Sequence, residues 1–145
     1  MKILLPVDGT PGSLFAVRQA LALRASGLAS EFVLVNVQAP PSLYEVVVAH
    51  DADVLSEVRR DAGDDLLAGA EALLEAAGVS WESEVAGGDP GHVIVELVEN
   101  YGCEAVIMGR GHGALGPVAT SVLAHCPVPV MLVPPPDDDD EPSAG

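Results

Sequence analysis

Short apolar runs alternate along the chain with longer segments in which apolar residues recur every three or four positions. Runs of the first kind predict buried parallel strands, and segments of the second kind predict amphipathic helices. The predicted strands are Lys2–Val7, Glu31–Val37, Ser80–Ala86, Ala105–Met108 and Val128–Val133. Strands that alternate with helices predict an α/β fold. We expect a single-domain, doubly wound, five-stranded and mostly parallel sheet with helices on both faces.

Turn and capping residues delimit the predicted helices, which cover residues 11–25, 52–78, 90–101 and 118–125. Thr10 or Ser13 is suited to cap the first helix, and Asp89 is suited to cap the third. Gly63 and Gly69 interrupt the second helix and allow it to bend, because glycine has a low helix propensity.

Two segments lack this periodicity. The connector Gln38–Asp51 is predicted to be irregular, and its apolar part, Leu43–Ala49, to form a lid or a short helix over the sheet edge. Residues 135–145 are poor in apolar side chains and rich in charge, which predicts a disordered acidic tail. The predicted domain is therefore residues 1–134.

The chain is strongly acidic, with 22 Asp and Glu against six Lys and Arg and a formal charge of −16. Asp137–Glu141 supply only five of these charges, so the domain is acidic as well. Nucleic acids and anionic membranes need a basic surface, and neither is predicted as a partner. The chain shows no apolar run long enough for a bilayer and no export signal, so we expect a cytoplasmic protein.

A glycine-rich turn lies between the fourth predicted strand and the last helix, with glycines at Gly109, Gly111, Gly113 and Gly116. Such a turn presents backbone N–H groups to an anion. The last three glycines match GxGxxG, but no acidic residue ends the next strand, as a dinucleotide site requires. A phosphate-binding turn and a purely structural turn are both favoured over a dinucleotide site. Arg110 and His112 are the ionisable residues in the turn.

Other candidate groups follow the first two strands. Asp8 comes directly after strand one, and Asn36 and Val37 end strand two. Ligands of doubly wound sheets bind at the carboxyl ends of the strands, and these residues meet the glycine turn only if strand one lies beside strand four. Asp8 is suited to accept hydrogen bonds from a ribose or an amine, or to cap a turn, and Asn36 to tie down a loop. We find no nucleophile–base pair, carboxylate dyad or metal-ligand spacing, so neither an enzyme nor a metal site is predicted.

The motifs taken in order resemble the universal stress protein family. The resemblance is carried by KILLPVDGT, FVLVNVQ, GDPGHVIVELVENYGCEAVIMG and GPVATSVLAHCPVPVMLV, and it covers roughly residues 1–134. It implies a homodimer that pairs through the last strand, Val128–Val133, with a further protein partner unknown. Many members of the family bind ATP, so ATP or AMP is the cofactor that the resemblance suggests.

The resemblance also implies a site. Asp8 and a backbone group at Val37 would hold adenine and ribose. The candidate adenosine crevice is Pro6, Asp8, Val37, Met108 and Gly109. The candidate phosphate loop is Arg110, Gly111, His112, Gly113 and Gly116.

The phosphate loop departs from the family pattern, which is glycine, two residues, glycine, nine residues, glycine and Ser or Thr. Only Ala114 and Leu115 separate Gly113 from Gly116, and Pro117 replaces the Ser or Thr. Proline offers neither a hydroxyl nor an N–H to a phosphate. We therefore expect a stress-response binding or signalling domain with degenerate or absent ATP binding. The alternatives are an ATP- or AMP-binding member with an altered loop, including a slow ATPase, and a dimeric scaffold with an empty crevice.

Overall fold

The computed structural model describes residues 1–39 and 52–136. In this part of the chain, strands and helices alternate. The strands are β1 (Lys2–Pro6), β2 (Glu31–Gln38), β3 (Trp81–Gly87), β4 (Ala105–Gly109) and β5 (Val130–Val133). The helices are α1 (Pro11–Ala25), α2 (Ala52–Ala76), α3 (Pro90–Tyr101) and α4 (Pro117–His125). The predicted α/β fold is confirmed. The lid or short helix predicted for Leu43–Ala49 lies outside the described residues, as do positions 137–145 of the predicted tail.

The five strands form one parallel sheet in the order β3-β2-β1-β4-β5. Helices α1 and α2 pack on one face, and α3 and α4 pack on the other. The chain therefore winds outward from β1 in both directions, and β3 and β5 are the edges. Among the described helices, none combines the length and the apolar character needed to cross a membrane.

The core is aliphatic and lies in two layers, one on each face of the sheet. Alternate residues of β1 enter different layers: Ile3 and Leu5 pack beneath α1 and α2, and Leu4 packs beneath α3 and α4. All three are at most 1% exposed. Burying one such side chain contributes roughly 1.5–3 kcal/mol, so strand alternation holds both helix layers to the same sheet.

The helix ends follow the local signals in the sequence. Thr10, not Ser13, is the N-cap of α1, and its side chain accepts a hydrogen bond from the Ser13 N–H at 3.2 Å. Asp89 caps α3 by accepting from the His92 N–H at 3.2 Å. Each cap satisfies an N–H that has no partner inside the helix, which fixes where the helix begins.

Not every apolar residue of α2 packs on the sheet. Leu67, Ala70 and Leu74 are buried, but Val58 is 58% exposed and Leu66 is 36% exposed. Successive residues of a helix are rotated by about 100°, which places Val58 on the side opposite Leu67 and Leu66 at the margin of the buried stripe. Apolar character alone therefore does not identify the contact face of α2.

Gly63 lies on the buried stripe of α2, where the helix approaches β2 and β3 closely. A Cβ at this position would lie 2.4 Å from Val85 Cγ1 and 3.0 Å from Asn36 Oδ1. Gly69 is different, because a Cβ there would meet Leu14 at 3.5 Å, an ordinary contact. The helix runs through both glycines, and only Gly63 is required by packing.

We predict opposite effects of alanine at these two glycines. Gly63→Ala should lower the free energy of unfolding by about 1–3 kcal/mol, because the new methyl group overpacks the contact with the sheet. Gly69→Ala should raise it by up to about 1 kcal/mol through helix propensity. Urea unfolding followed by circular dichroism measures both, and equal shifts in the two variants would contradict this packing.

Candidate functional site

A crevice of about 730 Å³ opens at the carboxyl ends of β1, β2 and β4. It exists because β1 pairs with β2 on one side and with β4 on the other, with Leu4 opposite Val33 and Val106. Asp8, the end of the second strand and the glycine turn could meet only if the first strand lay beside the fourth, and it does. The chain leaves β1 here and the two flanking connections diverge, which is the geometry of a topological switch point.

The structure brings together nearly all of the candidate residues. The whole predicted adenosine crevice lines the opening: Pro6, Asp8, Val37, Met108 and Gly109. Four of the predicted phosphate-loop residues also line it: Arg110, Gly111, His112 and Gly116. Gly113 does not line the crevice. It lies in the exposed part of the turn and has a φ of 77°.

Sequence reasoning missed the wall that the helices contribute, which consists of Pro90 and Ile94 of α3 and Val118 and Ala119 of α4. A signal was available, because a helix that follows a parallel strand begins at the carboxyl edge of the sheet. The first turns of α3 and α4 must therefore face this crevice. Pro135 and Pro136 also line the crevice, and no local sequence pattern predicted this.

Asp8 is held by the turn that joins β1 to α1. Its Oδ1 accepts hydrogen bonds from the Thr10 N–H at 2.9 Å and from the Thr10 hydroxyl at 2.6 Å. The Asp8 N–H donates to Ser13 Oγ at 3.3 Å. Because both Thr10 bonds end on Oδ1, the other carboxylate oxygen is available to a ligand.

These bonds decide the charge state of Asp8. Partial desolvation at the crevice wall acts to raise the pKa of Asp8, but the side-chain and backbone hydrogen bonds from Thr10 are the main effects that outweigh it and hold the pKa below its usual value. The carboxylate is therefore ionised at neutral pH and can only accept hydrogen bonds. It suits hydroxyl or amine donors and repels a phosphate placed beside it.

Val37 presents backbone groups to the same space. The Val7 N–H donates to the Val35 carbonyl at 2.8 Å, so the backbone groups of Val35 face β1. In a parallel strand, the backbone groups of every second residue point to the same neighbouring strand. The N–H and carbonyl of Val37 therefore point toward the β1 side, like those of Val35, but β1 has already ended there. No turn or loop hydrogen bond between described residues uses the Val37 N–H or carbonyl, which leaves both for a ligand.

Asn36 fixes the position of this edge. It is 2% exposed, its Nδ2 donates to the Val7 carbonyl at 2.8 Å, and its Oδ1 accepts from Gln38 Nε2 at 2.5 Å. Both ends of the amide are thus used within the fold. Asn36 therefore ties the end of β2 to the exit of β1.

Gly109 allows α1 to start beside β4. A Cβ at this position would lie 2.9 Å from the Gly12 carbonyl oxygen and 3.0 Å from its carbon, and both atoms belong to the backbone. No side-chain movement would relieve that contact. Glycine at 109 therefore keeps the start of α1, and the Asp8 turn with it, close against β4 at the crevice floor.

The end of the crevice formed by the glycine turn and the start of α4, where the phosphate loop was predicted (the phosphate end below), has few donors. The N-cap of α4 is Gly116, which makes no side-chain capping bond, and Pro117 at the first position has no N–H. The first-turn N–H groups of Val118 and Ala119 remain, since only from Thr120 does the helix bond back to Gly116. Arg110 and His112 add two exposed side chains.

The family model of the universal stress protein family matches residues 1–134. The chain belongs to the universal stress protein family. A universal stress protein of Methanocaldococcus jannaschii is 28% identical over 141 residues, which are 92% of this chain and 82% of that protein.

Solved universal stress protein structures share the fold. One, a universal stress protein in complex with cAMP, has a TM-score of 0.72 at 22% identity and covers 94% of this chain and 98% of its own. A family protein from Arabidopsis thaliana with AMP bound has a TM-score of 0.71 at 19% identity. It covers 99% of this chain and 98% of its own.

We predict that Thr10 sets the ionisation of Asp8. Thr10→Ala removes the hydroxyl donor and should move the pKa of Asp8 upward. Because the folded-state pKa lies below the unfolded one, Asp8 stabilises the fold above its unfolded pKa and loses that effect as pH falls through the folded pKa. Loss of the Thr10 cap should lower the free energy of unfolding at neutral pH by about 1 kcal/mol. On acidification, that free energy should then fall less in the variant than in the parent.

NMR titration of the Asp8 carboxyl carbon and unfolding at several pH values measure both effects. Thr10→Ser keeps the hydroxyl and is the matched control. An unchanged Asp8 titration in the alanine variant would refute the role of Thr10.

Proposed function

We propose that this universal stress protein is a stress-response binding or signalling domain that holds the adenosine part of a nucleotide and binds polyphosphate weakly. The observation that carries the proposal is the asymmetry of the crevice. Its adenosine end is complete, with Asp8, Val37 and apolar walls, whereas its phosphate end is short of donors. The solved family structures with cAMP and with AMP support an adenine nucleotide as the ligand class.

The adenosine end combines shape with a few directed polar groups. Pro6, Met108 and Ile94 provide apolar surface for a base, and the ionised Asp8 accepts from ribose hydroxyls. The free backbone groups of Val37 can pair with the edge of a base. A volume of about 730 Å³ falls in the range typical of small-molecule sites.

The phosphate end favours a monophosphate over a triphosphate. The turn from Gly109 to Gly116 lacks most of the long loop that the family pattern places there, and Pro117 removes one hydroxyl and one N–H. Each charge-assisted hydrogen bond lost removes roughly 1.5–3 kcal/mol of binding. AMP needs few such donors, and ATP needs many.

A second candidate is a competent ATP-binding member with an altered loop, of which a slow ATPase would be the enzymatic form. The favouring observation is that Arg110 and His112 both line the crevice, and neither makes an ion pair with any described residue. A guanidinium and an imidazole beside the turn backbone could replace part of the missing loop.

We predict that AMP binds more tightly than ATP in calorimetric titrations at physiological salt. Asp8→Asn should weaken AMP binding about tenfold or more, because it replaces a charged acceptor by a neutral amide. Pro117→Ser returns a hydroxyl and an N–H to the start of α4, and it should strengthen ATP binding more than AMP binding.

Glu99→Gln is the matched control for Asp8→Asn. It removes one exposed carboxylate near the far end of α3, away from the crevice, and should leave AMP binding unchanged. Submicromolar ATP binding by the parent chain would reject the degenerate loop and favour the second candidate. If neither nucleotide binds, the scaffold with an empty crevice remains.

The proposal includes a homodimer and a cytoplasmic location. Strand β5 is an edge, and Met131 on it is 47% exposed, so its outward backbone groups and side chain are open to a second copy. The observed strand is Val130–Val133, two residues shorter at its start than the predicted one.

The proposed cytoplasmic location is supported by the cysteines. Both, Cys103 and Cys126, are free thiols, as is usual in a reducing compartment.

We predict that sedimentation velocity detects a dimer that Met131→Glu disrupts. Two-fold pairing of β5 with its copy brings the two new carboxylates close together, where they repel. Val58→Glu is the matched control, because it adds the same charge at an exposed position of α2. This helix packs on β2 and β3, toward the edge of the sheet opposite β5, so the change should leave the dimer intact. A parent chain that remains monomeric at high micromolar concentration would contradict pairing through β5.

A further inference from the structure

The chain leaves β5 directly beside the phosphate end of the crevice. The Arg110 N–H, at the start of the glycine turn, donates to the Val133 carbonyl at 2.8 Å. Three prolines follow Val133, and Pro135 and Pro136 line the crevice. The exit of the last strand is thus bonded to the turn, and the next residues continue along the crevice.

These prolines restrict where the following residues can go. Proline fixes φ near −65°, and successive prolines favour an extended polyproline helix that rises about 3.1 Å per residue. Asp137 follows Pro136 in the sequence, so the acidic run Asp137–Glu141 is tethered to a residue that lines the crevice. Five residues span at most about 18 Å, so the whole run can reach the crevice from Pro136.

The phosphate end is also where the crevice attracts negative charge. Among the described lining residues, Arg110 is the only Lys or Arg, and it makes no ion pair with another described residue. His112 lies in the same turn, and the N-terminus of α4 adds the positive end of a helix dipole. At the other end the ionised Asp8 repels carboxylates.

We propose that the acidic run Asp137–Glu141 docks on the phosphate end of its own crevice, with its carboxylates on Arg110, His112 and the start of α4. A short tether gives such a segment an effective concentration in the millimolar range, so weak exposed contacts can suffice. A docked run would occupy the place of the outer phosphates of a nucleotide and leave the adenosine end open. The docking stands by itself, and only this competition rests on the proposed function.

The docking is tested without any nucleotide, by NMR on the full-length chain. The tail-neutral variant combines Asp137→Asn, Asp138→Asn, Asp139→Asn, Asp140→Asn and Glu141→Gln. Its amide signals should differ from those of the parent over residues 110–119. The difference should shrink as salt is raised, because exposed ion pairs are screened.

A matched control separates docking from net charge. It removes the same number of charges from exposed acidic positions elsewhere, by Glu31→Gln, Asp64→Asn, Asp65→Asn, Glu75→Gln and Glu99→Gln. These changes should leave the amides of residues 110–119 unmoved. Identical spectra of the parent and the tail-neutral variant at those amides would overturn the docking, and so would equal shifts in the control.

The competition is tested by calorimetry with ATP and AMP at low salt. The tail-neutral variant should bind ATP about fivefold more tightly than the parent, with a smaller gain for AMP. Arg110→Gln should abolish most of that gain. Equal ATP affinity of parent and tail-neutral chains would overturn the competition. Failure of every variant to bind a nucleotide would refute the proposed function, and the NMR comparison would still decide the docking.

Discussion

The parallel pairing of β1 with both β2 and β4 is the constraint on which the rest of the structure depends. It makes β1 the centre of the sheet, sends α1 and α2 to one face and α3 and α4 to the other, and opens the crevice where the connections diverge. The buried aliphatic residues of β1 serve both core layers, so a single apolar strand supports the fold and the floor of the site. Any change that separated β1 from β4 would disrupt the crevice and both core layers, to which the two strands contribute.

Some polar groups at the carboxyl edge are used within the fold, and others remain open to the crevice. Asn36 uses both ends of its amide within the protein, whereas the backbone of Val37 and one oxygen of Asp8 remain open. In the described part of the chain, no fully buried side-chain polar atom lacks a hydrogen-bond partner. Unpaired polar groups are costly in the interior but not at an open crevice, where water solvates them until a ligand replaces it.

Much of this could be predicted from the sequence, because the decisive signals are local or topological. Apolar runs and capping residues located the strands and helices, and parallel topology placed the candidate groups at one edge of the sheet. That β1 lies between β2 and β4, which brings these groups together, came from the structure. The remaining features depend on three-dimensional distances that no local pattern encodes. The exposure of Val58, the contact of Gly63 with Val85 and the approach of Pro136 to the crevice are all of this kind.

The charge of the whole chain adds to the asymmetry of the crevice. A formal charge of −16 opposes the approach of every anion, and the opposition grows with the charge of the ligand. At the phosphate end, Arg110, His112 and two helix N–H groups offset this field locally. Those few groups can balance one phosphate far better than three, since Coulomb repulsion from the acidic surface rises with each added charge while the number of donors stays fixed. The proposed selectivity against polyphosphate thus has two sources, the shortened turn and the acidic surface around it, and salt would weaken only the second.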